Sequence, residues 1–379
     1  MNLAVAPKQK TATTTPSVGS ARGELVSMKT ARCIEPLNDA RWEGFLQRHP
    51  RASLFHSSAW LKALYQTYGY QAVAYTTSPE NGELDNAIVF CRVESWLTGR
   101  RLVSLPFSDH CEPLVDTEQD LIALIAAVEQ ESHKKHWRYV EIRPLEQLGI
   151  ITSLRRDAVC YAFHQLDLTP DLDTLFRNCH KSSTQRKIHR AKREGLVYSE
   201  GSTEEFLDHF YQLLKLTRKR HRLPPQPRKW FANLMANFGE DLKIRVAFKQ
   251  DQAIASMLTI RYKETMVYKY GCCDPGFNNL GCMHLLYWKT IQDAKDRGLR
   301  SFDLGRTDAD QTGLITFKNR WGATQSMLTY LRYCASKDST HFFDIQTTQW
   351  KSRVTKLVCS VIPPSLLAKV GQVMYRHIG

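Results

Sequence analysis

The chain has 379 residues, 42% of them hydrophobic and 24% charged, an ordinary globular composition sufficient for two domains with buried cores. A net charge of +14 and a pI near 9.3 point to an anionic partner: nucleic acid, a nucleotide tail, a phosphorylated sugar or an acidic membrane face. Ten cysteines without any C-x-x-C spacing argue against a zinc or dithiol site, and no stretch reaches the roughly 18 apolar residues of a membrane span.

Residues 1–22 are polar, rich in Thr, Ser and Ala, and lack the apolar segment of a signal peptide, so a tail is expected over 1–30 and the body in the cytoplasm. Helical spacing follows at 39–49 and 57–67, the second capped by Ser57 or Ser58 with a stripe of Trp60, Leu61, Leu64 and Tyr65. Strands are expected at 71–77, 86–95 and 101–106, then a helix at 117–136 and a strand at 138–144. This is one mixed α/β unit, assigned to 31–157.

A second unit, 158–336, opens with a strand at 159–168. Helices are expected at 171–179, 182–194 (ending on Gly195), 203–222 (stopped by Pro224, Pro225 and Pro227) and 229–238. Strands at 242–249, 253–262 and 265–273 then form a meander. A helix at 282–297 and a strand at 299–304 complete a βαβ unit, which makes 265–273 and 299–304 parallel neighbours. A last strand lies near 326–334. Cys272 and Cys273 should face opposite sides of their strand; a buried hydrophobe is the ordinary reading of each, a nucleophile the rival.

Three constellations carry chemistry. From Arg177 to Arg193 there are seven Lys/Arg residues and no acid, with Arg186, Arg190 and Arg193 on one helix face. A second acid-free run, from Tyr211 to Lys229, contains Arg220. An anion would offset such repulsion; a solvated face is the alternative. The strand–loop–helix segment around Tyr270, Gly271, Asn279, Gly281 and Cys282 is the geometry in which helix N-terminal N–H groups meet a phosphate or carbonyl oxygen, although a plain turn reads similarly. Finally, Asp303 ends a strand, and Lys318 sits between Phe317 and Trp321, where a cation can be desolvated and aimed at a ligand oxygen. No helix-turn-helix, zinc-finger or RNP pattern supports DNA binding.

These segments together resemble the FemAB/CelD-like branch of the GNAT acyltransferases. The resemblance covers most of 35–335 and is strongest at 184–196 with 218–227, at 267–305 and at GLITFKNRWG (313–322); SLPFSDHCEPL (104–114) is similar to a first-domain signature of exopolysaccharide-associated relatives. It implies a mixed α/β fold of two tandem GNAT-like domains, each with a central twisted sheet flanked by helices. It also implies transfer of an acyl or aminoacyl group to an amine of a cell-envelope or exopolysaccharide precursor, by direct attack on an ester or thioester carbonyl. In that family the Phe-Lys pair lies at the transfer site, so Phe317 and Lys318 take that role, with Lys318 stabilising the oxyanion. Asp303 is a general-base candidate by position, and a structural carboxylate is the equal alternative. No tightly bound cofactor is implied; the donor is aminoacyl-tRNA or acyl-CoA. The GNAT pyrophosphate loop departs from its pattern, because 278–283 (NNLGCM) keeps one glycine and lacks the leading Gln or Arg. Two other functions stay open: a CoA-dependent N-acetyltransferase for a soluble amine, and a non-catalytic anion- or RNA-binding module. The basic, amphipathic segment 337–379 could lie on the anionic inner face of a membrane or pack on the protein.

Overall fold

The computed structural model describes residues 29–146, 157–333 and 364–378. Most of the expected tail, and residues 334–363 of the C-terminal region, lie outside the described residues.

Among the described residues, twelve strands form one mixed sheet in the order β1-β2-β3-β4-β5-β12-β6-β11-β10-β9-β8-β7. The first half supplies β1 (Arg32–Ile34), β2 (Gln71–Thr76), β3 (Ile88–Ser95), β4 (Gly99–Val103) and β5 (Tyr139–Ile142). The second supplies β6 (Asp157–Asp167), β7 (Val197–Gly201), β8 (Leu242–Lys249), β9 (Gln252–Tyr262), β10 (Thr265–Cys273), β11 (Ser301–Asp308) and β12 (Thr324–Tyr333). The two expected sheets are thus joined into one. The last strand does the joining: β12 pairs antiparallel with β6 along its length and, through Leu331–Tyr333, with β5.

The helices are α1 (Trp42–Arg48), α2 (Ser58–Tyr68), α3 (Glu118–Lys135), α4 (Leu172–Asn178), α5 (Arg186–Arg193), α6 (Glu204–Arg220), α7 (Arg228–Phe238), α8 (Cys282–Asp296), α9 (Thr312–Asn319) and α10 (Pro364–Ile378). A capping side chain opens α2, α3 and α4. Ser57 accepts from the Trp60 N–H at the start of α2, and Gly69 closes that helix in the left-handed conformation. On one face of the sheet, α1 and α2 share a core with α6 and α7, where Trp60 meets Trp230 edge-on at 5.2 Å. On the other, α3 covers the first half while α5 and α8 cover the second. A core common to both halves fixes them relative to each other, and a site at their junction follows from that.

Two features of the second half shape the site. β10 and β11 are parallel neighbours as expected, but they pair only over Thr265–Val267 and Ser301–Asp303. β11 then stays with β6, so a gap opens beyond Val267 and Asp303. In β10 a bulge between Tyr268 and Tyr270 interrupts the alternation of faces. Tyr268 therefore packs against the second-half core, while Tyr270 and Cys272 enter the shared core. Cys273 faces the other way, as expected.

The structure also adds elements that periodicity did not reveal: β7, one π-helical turn at Lys181–Gln185 and α9, which carries Phe317 and Lys318. α10 docks on the protein. The Tyr70 hydroxyl donates to Tyr375 O (2.8 Å), the Tyr375 hydroxyl donates to Pro224 O (3.1 Å), and a Cβ on Gly371 would meet Pro225 O at 2.2 Å. No helix among the described residues is long and apolar enough to cross a membrane.

Candidate active site

The first half contributes a strained loop after β4. Leu105 (φ 54°) and Phe107 (φ 62°) both occupy the left-handed region, unusual for bulky residues. Several bonds hold the loop there: Arg143 Nη1 donates to Leu105 O (2.8 Å) and Ser108 O (3.1 Å), and the Tyr330 hydroxyl donates to Asp109 O (2.6 Å). The result is that Asp109 and His110 are delivered into the second half.

There they meet its charged residues. Lys269, displaced by the β10 bulge, donates to Asp109 Oδ2 at 2.7 Å and lies over the rings of Phe55, Trp60 and Tyr270. Arg306 stacks on Tyr161 with its guanidinium carbon 4.2 Å from the ring centroid, its Nε 3.9 Å from Asp109 Oδ1. Burial opposes ionisation of Asp109, but Lys269 and Arg306 outweigh it and hold the carboxyl below its usual range.

His110 Nε2 lies 3.0 Å from Asp303 Oδ2, and Asp303 Oδ1 accepts from the Gly305 N–H at 2.7 Å. Gly305 also faces the other way, its carbonyl accepting from Lys318 Nζ at 2.8 Å, with Arg306 O at 3.3 Å. This gives a continuous line from His110 through Asp303 and Gly305 to Lys318. Gly305 has φ +70°, and a Cβ there would lie 3.4 Å from Asp109 Oδ2, so glycine suits both the backbone and the space. Lys318 is 1% exposed, and burial pushes its ammonium down to about 8; Asp109 and Asp303 partly counter this. Two of its three N–H donors go to carbonyls.

A cavity of about 430 Å³ lies at the junction, lined among others by Arg51, Phe55, His110, Glu112, Lys263 and Asp303. Val267, opposite Asp303 on the last paired rung before β10 and β11 separate, also lines it. Lys318 lies behind Gly305, outside this lining. His110 Nδ1 is buried with no hydrogen-bond partner among the described residues, and so is Glu112 Oε1. Burial raises the Glu112 carboxyl, against the Leu145 and Glu146 N–H groups that hydrogen-bond it.

Of the residues singled out in the sequence, Lys318 and Asp303 come together. Phe317 is adjacent but turns away, into rings of His284 and Tyr287 each 5.2 Å distant. The proposed cofactor set divides. Tyr270 leaves it, because the bulge turns its hydroxyl to accept from Trp230 Nε1 (2.9 Å) in the shared core. Gly271 makes room for the Tyr268 hydroxyl, which a Cβ would meet at 2.3 Å. Gly281 (φ +83°) lets α5 approach, with a Cβ only 2.4 Å from Lys187 O. The Asn279 carbonyl accepts from Lys187 Nζ (2.9 Å), and Cys282 is buried. Gly271 and Gly281 thus answer to packing. Burial also raises the Cys272 thiol far above its usual value, leaving no physical basis for a nucleophile there.

The basic belts border the 274–281 loop from two sides. α5 touches it through Lys187, and α6 touches the end of β10 through Thr217, whose hydroxyl donates to Cys273 O at 3.3 Å. Arg186 and Arg193 are exposed, Arg190 pairs with Glu194 at 3.4 Å, and Arg220 is exposed near the C-terminal end of α6. Arg228, in the second acid-free run, is neutralised by Glu204 and Asp208.

His110, Asp109, Lys269 and Arg306 were not singled out as site residues. The only signal for the first two was the SDH triplet within SLPFSDHCEPL.

Residues 179–318 match the family described as Acetyltransferase (GNAT) domain. The UDP-N-acetylmuramoylpentapeptide-lysine N(6)-alanyltransferase of Weissella viridescens is 28% identical over 159 residues, which is 41% of this chain and about half (47%) of that protein's length. Among solved structures, FemX superposes with a TM-score of 0.61 at 14% identity, over 79% of this chain and 97% of that one. L-PGS from Bacillus licheniformis gives 0.54 at 15% identity, over 85% and 98%. A tandem GNAT protein from the clavulanic acid biosynthesis pathway gives 0.52 at 11%, over 81% and 99%. At these identities the structures establish the fold. The matched stretch contains Gly281, Asp303, Gly305 and Lys318, so this part of the chain is similar to a GNAT acetyltransferase domain, and the fold over most of the chain is that of FemX.

Proposed function

We propose that this protein transfers an aminoacyl group from aminoacyl-tRNA to an amine of a cell-envelope precursor, an exopolysaccharide precursor being the narrower possibility. The observation that carries this reading is the line His110–Asp303–Gly305–Lys318, which sets a base candidate and a buried cation on either side of one glycine. The similarity to the alanyltransferase supports the amine acceptor and the aminoacyl donor.

In this mechanism the acceptor occupies the junction cavity, its ammonium attracted by Asp303 and Glu112. Asp303 accepts from the Nε2–H of His110, which leaves the Nδ1 lone pair to take the ammonium proton. The free amine attacks the ester carbonyl carbon, and the buried Lys318 ammonium behind Gly305 stabilises the resulting oxyanion through its field. The C–N bond forms and the ester C–O bond breaks; the proton held by His110 passes to the departing ribose oxygen, and the freed Nδ1 then takes the second proton from the new amide nitrogen and releases it to solvent. Asp303 then orients the base and is not itself the base. Arg186, Arg190, Arg193 and Arg220 would hold the phosphates of the donor. Phe317 keeps a packing role, fixing α9 so that Lys318 is aimed.

Aminoacyl-tRNA is favoured over CoA by the closeness of α5 to the 274–281 loop, together with the degenerate glycine pattern there. Titrating acetyl-CoA and an aminoacyl-tRNA side by side tests the donor. Turnover with the tRNA and none with acetyl-CoA is expected; tight CoA binding with turnover would reverse the assignment.

A further inference from the structure

The hairpin joining β3 to β4 ends in Ser95-Trp96-Leu97-Thr98-Gly99. Its tip is apolar and uncovered: Trp96 is 85% exposed and Leu97 62%. A single exposed leucine needs no explanation, but a tryptophan and a leucine side by side on a projecting turn do.

A second element extends the tip. The end of α10 is fastened to this hairpin by several bonds: Thr98 Oγ1 and Arg101 Nη2 donate to His377 O at 2.7 and 2.8 Å, and His377 Nδ1 lies 3.0 Å from Ser95 Oγ. The His377 ring meets Trp96 edge-on at 5.7 Å. One turn earlier on the same helix face is Val373, also 62% exposed. Trp96, Leu97 and Val373 therefore form one apolar ridge built from two elements that the fold pins together.

The ridge is bordered by cations. Arg100 follows the tip and is largely exposed, Arg376 is exposed on α10, and Arg138 is exposed beside the turn, its Nη1 donating to Thr98 O at 3.0 Å. Against these stands Glu94, paired with Arg100 at 3.4 Å. An amphipathic indole beside an aliphatic side chain and a basic rim is suited to the interfacial zone of a lipid bilayer. There the indole lies at headgroup depth, the leucine enters the acyl boundary and arginines meet lipid phosphates.

We propose that the Trp96–Leu97 tip, with Val373 of α10, is the surface by which this protein docks on an anionic lipid bilayer. The role of α10 is then to brace the tip, not to lie on the membrane as an isolated amphipathic helix. β4 runs from this tip to the loop that carries Asp109 and His110, so the lipid contact and the site occupy opposite ends of one strand.

Flotation of the full chain with vesicles of phosphatidylcholine, alone or mixed with phosphatidylglycerol, tests this without any substrate; its failure would leave the transfer reading untouched. The wild type should float with the mixed vesicles and release partly as salt is raised. Trp96→Ser combined with Leu97→Ser should lower partitioning about tenfold or more with an unchanged thermal melt. Val373→Ser, on the other element, should weaken it less, and Arg100→Glu only on anionic vesicles. Two results would overturn the proposal: a wild type that stays with the solution, or hairpin and Val373 variants that float like wild type. Sedimentation velocity adds a third: a wild-type dimer lost in the hairpin variant would make the ridge a contact between two copies.

Discussion

His110 and Asp303, 193 positions apart and from opposite halves of the chain, stand 3.0 Å from each other across the junction. Neither half alone forms this pair. The common core of α1, α2, α6 and α7 holds the halves in register, so the dyad depends on packing some distance from the chemistry.

Asp303→Asn keeps the size of the side chain but no longer secures the His110 tautomer that leaves Nδ1 free. Turnover should fall by about 10²-fold or more, with substrate affinity nearly unchanged. His110→Ala should fall by a similar factor, and the double variant by little more than either alone. Single-turnover rates on the three variants check this; additive losses would mean the two residues act separately.

Lys318→Ala should reduce turnover by roughly 10²-fold while circular dichroism and the thermal transition show a folded protein. Unchanged activity would remove Lys318 from the site.

The pH dependence follows from the same lysine. Burial brings its ammonium down to about 8 from an ordinary 10.5, so the cation is present below pH 8 and is lost above it. Turnover should therefore decline as pH rises through about 8, and Lys318→Arg, however weakly active, should lack that limb. Stability moves oppositely. Because the unfolded chain keeps the proton up to a higher pH, the penalty of burying this cation is present below pH 8 and is relieved between about 8 and 10.5. Denaturation at several pH values measures it in the wild type, and Lys318→Met should flatten the profile over that interval.

Gly281→Ala introduces a Cβ 2.4 Å from Lys187 O on a backbone with φ +83°. Left-handed strain and displacement of α5 together should destabilise by about 2–4 kcal/mol, read from denaturant unfolding.

Replacing Arg186, Arg190 and Arg193 with alanine should weaken tRNA binding and reduce the magnitude of its log–log salt slope by roughly 2. Arg190 should contribute least, because Glu194 already pairs with it. Filter binding across a salt series is the measurement; an unmoved slope would assign the belt to solvent.

Much of the architecture was legible because it rests on local patterns. Alternation and turn chemistry placed β8 to β10, Gly195 marked the end of α5, and one 15-residue helix between two strands made β10 and β11 parallel. Lys318 could be found from its aromatic neighbours. The second acid-free run looked like one patch because sequence does not show that Arg228 folds back onto Glu204 and Asp208.

By itself, then, the sequence determined the order of most elements, the basic helices and the adjacency of Phe317 and Lys318, since each depends on residues close together in the chain. Tertiary structure decided the rest. A one-residue bulge at Lys269 reversed the face of Tyr270 and sent Lys269 to Asp109, an outcome no strict period of two can represent. Asp303, a base candidate or a structural carboxylate by sequence, meets His110 from the other half of the chain, and the proposed mechanism gives the base role to His110. Hydrophobic burial is non-directional, so only the packed core could bring those two residues within hydrogen-bond reach.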